Sequence, residues 1–317
     1  MPYDSGMPGL FLGVDGGQSS TTALVGDSAG RVVGYGRGGP CNHVTGVEAR
    51  TRFIEAIGGC VAQASDGISQ FHAACFGFSG GPDDKQALIK EMFSITMLSV
   101  TTDALVALSG ATAGAPGIIV IAGTGSIAFG RNAAGRTARA GGWGSVFGDE
   151  GGGFDIVRQA LRAALRQHEG WGASTVLHDM LLRETGATDA NDLVHRFYTP
   201  EFPKSRIAAM AKLVDQAARD GDRVALDILR AEAQHLATFA AAVRGQLFAR
   251  GEPAFVSHIG GVYGSDILRD RFQTLVELTD GNTCAPPLHG PAAGALIEAY
   301  RSAGMNVTLT EVPEFEK

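Results

Sequence analysis

No apolar run in this 317-residue chain approaches the ~20 residues needed to cross a bilayer. Its first residues, Met1 to Pro8, have neither the basic start nor the apolar stretch of a secretory signal. Basic residues are in the minority. Lys and Arg number 26 against 33 Asp and Glu, giving a formal charge of -7 and a pI of about 5.6. Without a basic excess, neither nucleic acid nor a membrane is expected as a partner. Cysteine is scarce. Cys41, Cys60, Cys75 and Cys284 are scattered and form no CxxC pair, which excludes a disulfide framework and a zinc ribbon. They read as small buried hydrophobes of a reducing compartment, so a cytoplasmic location is expected. The dispersed His43, His258 and His289 show no metal spacing such as HExxH.

What remains is an ordinary globular composition, 44% hydrophobic and 19% charged, at a length that fits two domains. Glycine is the exception. Its 45 residues are about twice the usual share of ~7%. GLFLGV (9–14) reads as a strand that runs into Asp15-Gly16-Gly17-Gln18-Ser19-Ser20. Thr21 to Gly26 reads as a second strand, Asp27-Ser28-Ala29-Gly30 as a turn, and Arg31 to Gly36 as a third strand. The same grammar returns about a hundred residues later. GIIVIA (117–122) is a strand, Gly123-Thr124-Gly125-Ser126 the bend, Ile127 to Gly130 a strand, Asn132 to Gly135 a turn, and Thr137 to Ala140 a short strand. An internal duplication follows. Between the copies, helices at 47–64, 82–93 and 103–113 alternate with short strands at 73–77 and 98–101. That alternation implies parallel strands with crossover helices. Residues 151–184 and most of 192–250 read as helical, 255–259 as a strand, and 291–303 as a final helix with Pro291 at its first position.

The bends carry the chemistry. A phosphate chain needs close backbone N–H donors, and glycine lets the backbone approach with no Cβ in the way. One such bend is as readily structural. Two in equivalent places of a duplicated unit can clamp one triphosphate. Asp15 would repel phosphate unless a cation intervenes, so it reads as a ligand of nucleotide-bound Mg²⁺, direct or through water; the alternative is a turn Asp that caps its own backbone. Asp103 follows a strand and opens a helix. There it is either an N-cap or a base that accepts a hydroxyl proton. The segment from Gly141 to Gly153 holds seven glycines, Trp143 and the adjacent pair Asp149-Glu150. A linker would lack the Trp and the acids. Carboxylates that chelate vicinal hydroxyls beside an aromatic wall suit a sugar. Gly260-Gly261 after a strand could admit a flat adenine.

TTDA (101–104), IAGTGS (121–126) and GGWGSVFGDEG (141–151) together resemble the N-acetylglucosamine kinase family. That family lies within the BadF/BadG-type ATPases of the actin, sugar kinase and heat-shock ATPase superfamily. The resemblance covers nearly the whole chain. It implies an α/β fold of two duplicated ribonuclease-H-like (actin-like ATPase) domains with an interdomain cleft. The sugar/phosphate-binding domain would take 1–114 with 291–317, and the nucleotide-binding domain 115–290. It also implies an ATP- and Mg²⁺-dependent kinase of an amino sugar, acting on the 6-hydroxyl. Carried over residue by residue, Asp15, Gly16, Gly17 and Ser19 match the first phosphate loop, with Ser19 where many relatives have Thr. Gly123, Thr124, Gly125 and Ser126 match the second loop. Asp103 matches the catalytic base, which also contacts the substrate. Asn42, Trp143, Asp149 and Glu150 match sugar-pocket residues, and Gly260 and Gly261 the adenosine segment. The turn from Gly77 to Gly81 looks like the family's sugar-side loop.

Two rivals differ in class. An ATPase activator of a dehydratase or acyl-CoA reductase would bridge two subunits through a cysteine-bound iron–sulfur cluster, but the four cysteines do not match the expected pair. A sugar-sensing regulator would carry a DNA-reading module, and none is expected, since the first strand begins almost at residue 1. Which amino sugar is bound is not legible in the sequence. Relatives are often dimers, which leaves a homodimer open.

Overall fold

The computed structural model describes residues 9–17, 19–41, 44, 46–80 and 84–316. They fall into two compact units. One takes the chain up to Pro116 and resumes at Pro287, and the other spans Gly117–Pro286.

In the first unit, β1 (Phe11–Gly16) is an almost wholly buried apolar run, as expected of a strand covered on both faces. It pairs antiparallel with β2 (Thr21–Gly26), which pairs antiparallel with β3 (Val32–Gly38). Asp27 shapes the β2–β3 turn by accepting hydrogen bonds from Ala29 N at 2.9 Å and Arg31 N at 3.1 Å. After α1 (Val47–Ser65), β4 (Gln70–Phe78) lies parallel to β1. After α2 (Gln86–Met92), β5 (Ser94–Thr102) lies parallel to β4 and leads into α3 (Asp103–Ala111). The sheet order is β3-β2-β1-β4-β5.

The second unit repeats the pattern. β6 (Gly117–Ala122), β7 (Ser126–Arg131) and β8 (Thr137–Gly141) form an antiparallel meander. Helices follow: α4 (Gly153–His168), α5 (Leu177–Thr185), α6 (Ala190–Arg196), α7 (Lys204–Ala209), α8 (Ala211–Arg219) and α9 (Arg223–Leu247). Then β9 (Ala254–Ile259) lies parallel to β6, and α10 (Asp266–Glu277) leads to β10 (Asn282–Ala285), parallel to β9. Read from its other edge, the order β8-β7-β6-β9-β10 is the first sheet's order β3-β2-β1-β4-β5 with each strand replaced by its counterpart. The duplication seen in the bends therefore extends to the whole sheet.

Helix α11 (Pro291–Ser302) returns to the first unit and buries Ala292, Ala293, Ala295, Leu296 and Ala299. A Cβ on Gly13 would stand 2.1 Å from Leu296 N, so α11 lies directly on the β1 backbone. On the opposite face, glycines alternate along β3. A Cβ at Gly34 or Gly36 would stand 2.0 Å from the carbonyl oxygen of Ala64 or Cys60, so α1 seats its backbone on the strand. Part of the glycine excess therefore serves close helix–sheet packing, not phosphate binding. After α11 the chain bridges back to the sheet edge. Val32 N donates to Thr310 O and Thr310 N to Gly30 O, both at 3.0 Å.

Several expected boundaries shift. The helix expected at 82–93 spans only Gln86–Met92, and its expected start lies partly outside the described residues. The helical stretch expected at 151–184 breaks after His168, where Trp171 N and Gly172 N both donate to Arg166 O and Gly170 has φ 83°. Pro203 breaks the next stretch at the start of α7. Among the described residues no helix is long and apolar enough to cross a membrane.

Candidate active site

Asp15 is the last residue but one of β1, and its half-buried carboxyl lies where the strand gives way to the first bend. Gly17 N donates to Ser20 O at 2.9 Å and closes the turn into β2, leaving Ser19 exposed. A Cβ on Gly16 would stand 2.5 Å from the Phe78 ring and 2.7 Å from Cys41 Sγ, so only glycine fits there. Burial pushes the Asp15 carboxyl up to about 7, and the negative charges of Glu316 and Asp103 add to the effect. Asp103 is the first residue of α3, but it is not the cap. Thr102 is, its Oγ1 accepting from Leu105 N at 3.3 Å. Asp103 Oδ1 accepts from its neighbour, Ala104 N, at 2.8 Å. Burial raises its pKa, and backbone hydrogen bonds partly oppose this. A carboxylate displaced toward neutrality suits a general base. Glu316, brought in by the segment after α11, accepts from Ala293 N at 3.1 Å at the helix start.

In the second unit the matching bend is closed by Gly123 N donating to Gly125 O at 2.9 Å. Gly153 N donates to Gly123 O at 2.8 Å and Phe154 N to Thr124 O at 3.1 Å, so α4 begins directly on the bend. Gly123, Thr124 and Gly261 line one cavity of about 510 Å³, together with Lys212, Asp215 and Gln216 of α8. The strand-to-turn corner at Gly260 requires glycine: its φ is 115°, and a Cβ would meet Ala122 O at 2.3 Å. Asp215 is fixed by a hydrogen bond from Ser265 Oγ and an ion pair with Arg219 Nε at 2.8 Å.

The 141–153 segment folds over this bend. Ser126 Oγ donates to Glu150 O at 2.5 Å, and Gly142 N to Ser126 O at 2.9 Å. Asp149 has φ 65°, rare for a residue with a side chain. Its Oδ1 accepts from Gly144 N at 3.2 Å, and its Oδ2 stands where a Cβ on Gly125 would be, 2.4 Å away. Trp143 is 64% exposed, with the Arg139 guanidinium 4.5 Å from its ring centroid.

The sequence profile of the BadF/BadG/BcrA/BcrD ATPase family matches residues 12–299. The chain belongs to that family. Among its relatives, an N-acetylmuramic acid/N-acetylglucosamine kinase of Clostridium acetobutylicum is 32% identical over 275 residues, covering 84% of this chain and 90% of that one. An N-acetyl-D-glucosamine kinase of Dictyostelium discoideum is 30% identical over 238 residues, 69% of this chain and 74% of that one. The crystal structure of an N-acetylglucosamine kinase candidate from Chromobacterium violaceum superposes with a TM-score of 0.72 at 26% identity, covering 92% of this chain and 98% of that one.

In this family member, Asp15, Gly16, Gly17, Ser19 and Asp103 lie in the first unit. Gly123, Thr124, Gly125, Ser126, Trp143, Asp149, Glu150, Gly260 and Gly261 lie in the second. Asp103 is near enough to Asp15 for its charge to raise the Asp15 carboxyl. Gly123, Thr124 and Gly261 share a cavity. Asp149 rests against the Gly123–Ser126 bend. Asn42 lies outside the described residues, as does Gly81 of the Gly77–Gly81 turn. Of that turn, Ser79 Oγ is buried without a hydrogen-bond partner.

Sequence reasoning missed Glu316, Lys212 and Asp215. Glu316 sits in EVPEFEK, which reads as a solvated acidic stretch. Asp215 and Arg219 stand four apart, the spacing of an ordinary surface ion pair. Only the fold brings Glu316 near Asp15 within the first unit, and Lys212 and Asp215 to the Gly123 cavity within the second.

Proposed function

We propose that this chain is an ATP-dependent kinase that phosphorylates an amino sugar, N-acetylglucosamine or glucosamine, at its 6-hydroxyl. The observation that carries the reading is Asp103. It is a strand-end carboxylate relieved of capping by Thr102, displaced toward neutrality, and beside the first of two equivalent glycine bends. The named kinase relatives, aligned over most of the chain, support the same reading.

In this reading Asp103 orients the sugar hydroxyl and accepts its proton as the oxygen attacks the γ-phosphorus, while the bond from that phosphorus to the bridging oxygen breaks and ADP leaves. The bend at 15–19 and the bend at 123–126 hold the triphosphate by backbone N–H groups and hydroxyls, and the nucleoside enters the cavity beside Gly261. The donor set fits nucleotide-bound magnesium. Asp15 is desolvated beside like charges, which a dication would relieve. Among the described residues no cluster of three metal-binding side chains could hold the ion unaided, so the phosphates supply most of its ligands. Bound there, magnesium neutralises charge on the transferred group. Asn42, Trp143, Asp149 and Glu150 contact the sugar. The first unit is the sugar/phosphate domain and the second the nucleotide domain.

We also place the chain in the cytoplasm, where free thiols persist, since its four cysteines are unpaired. All four are buried, which offers the dehydratase-activator reading no exposed thiol pair for a cluster.

The test is ADP release from ATP across a panel of glucosamine, N-acetylglucosamine, N-acetylmuramic acid and glucose, with and without magnesium. Phosphorus–proton correlation in the product spectrum locates the ester. Turnover with an amino sugar and phosphorus coupled to the C6 protons are expected. Turnover indifferent to every sugar would sink the reading.

A further inference from the structure

The segment 142–151 is a poor candidate for a fixed structure. It is rich in glycine, which loses the most backbone freedom on ordering, and it exposes Trp143, Val146 and Phe147. Yet Asp149 is held in the left-handed region. Something beneath must hold it.

Two buried carboxylates lie there. Asp155 on α4 and Glu232 on α9 are each 1% exposed. Glu232 Oε2 accepts from Gly151 N at 2.7 Å and faces His235 Nδ1 at 3.2 Å. Gly151 presses on α9 so closely that a Cβ would stand 2.4 Å from Leu236 Cγ. Asp155 Oδ1 accepts from Arg158 Nε at 2.8 Å and pairs with its second terminal nitrogen at 2.6 Å. The Arg158 Nη1 group reaches on to Ser145 O at 2.9 Å. Asp155 Oδ2 is buried with no hydrogen-bond partner among the described residues. Burial holds the Glu232 carboxyl above its usual range, and the Asp155 charge adds to this. Two acids buried side by side are costly to a fold. Here each is tied to the same segment, Glu232 directly at Gly151 and Asp155 through an arginine at Ser145.

We propose that Asp155, Arg158 and Glu232 form a buried clamp that positions the 142–151 segment, and with it Asp149 and Glu150, to receive the sugar. They are positioning residues and touch no substrate. The proposal rests on the amino-sugar kinase reading. Chelation of neighbouring hydroxyls needs the two carboxylates fixed before the sugar arrives, and a glycine-rich segment cannot fix them alone.

The experiment uses the full chain with Trp171→Phe, which leaves Trp143 as the sole tryptophan. In that background Arg158→Ala is compared with its parent. The clamp predicts unchanged far-ultraviolet circular dichroism, lower Trp143 anisotropy and stronger acrylamide quenching. It also predicts an amino-sugar KM raised about tenfold or more, with the ATP KM within about twofold of the parent. Glu232→Gln, whose amide oxygen can still accept from Gly151 N, should stay near the parent, while Glu232→Ala should behave as Arg158→Ala does. A folded Arg158→Ala protein with an unchanged Trp143 signal overturns the clamp, whatever the parent phosphorylates. A freed Trp143 with an unchanged sugar KM overturns its role in substrate positioning. A parent that phosphorylates no amino sugar overturns the kinase reading instead, and does so without reference to the fluorescence.

Discussion

A carboxyl kept near neutrality by its surroundings stabilises the fold only while it is protonated. Asp15 illustrates the sign. Its unfolded value is 3.8 and its folded value about 7. The folded state therefore binds the proton more tightly. That contribution is fully present below pH 3.8 and is lost as pH rises through about 7. Asp15→Asn should remove the loss. In thermal melts of the ligand-free protein, the variant should gain on the parent between pH 4 and pH 8, by up to a few kcal/mol at the upper end. Its kinase activity should fall at the same time. Equal melting profiles across that range would contradict the desolvated-carboxyl account. Asp103 gives a kinetic counterpart. A base must be ionised, so the acid limb of the kcat profile should lie above the ordinary 3.8 of a free carboxyl. Asp103→Asn should keep the fold, since Thr102 supplies the cap, and should lose roughly 10²–10⁴ in kcat. Near-normal turnover in that variant would reject the assignment.

Helices and strands show which residues the sequence displays and which it hides. Strands β2 and β6 were readable to the residue because glycine or the bend marks their ends. Both bends, the Asp103 helix start and the duplication were readable for the same reason, since glycine, hydroxyls and period mark them locally. Helix α10 was not expected from the sequence, although Ser265 caps it and Leu268, Phe272 and Val276 are buried at helical spacing. The four residues of β10, NTCA, carry no such signal; only their pairing with β9 makes them a strand. The glycines are the sharpest case. Their number was visible, but whether a given glycine serves a ligand or a helix depends on what lies across from it. Gly34→Ala should drive a methyl into the Ala64 carbonyl of α1 and destabilise by about 1–3 kcal/mol or more. Gly59→Ala, on the open side of the same helix with nothing within 4 Å, should stabilise by roughly 0.5–1 kcal/mol. Urea denaturation of the two variants should move in opposite directions.

The two units differ in how they are assembled from the chain, and this has consequences for the whole molecule. The second is continuous and owns its core, its bend and the cavity beside Gly261. The first is discontinuous. Gly13 and Gly26 on its sheet, and Val106 on α3, are covered by α11, and that helix arrives only after the second unit is complete. A fragment spanning 117–286 should therefore fold cooperatively and, on the proposed function, bind ADP in calorimetry, more weakly than the full chain if the 15–19 bend contributes as proposed. It should transfer no phosphate, because Asp103 lies elsewhere. A fragment ending at residue 116 should fail to fold, because without α11 one face of its sheet is bare of the Ala292, Leu296 and Tyr300 side chains that bury Phe11 and Leu24. Adding α11 back through a short linker to Pro287 should restore it. A cooperative melt from the 1–116 fragment alone would mean that α11 decorates the first unit instead of completing it.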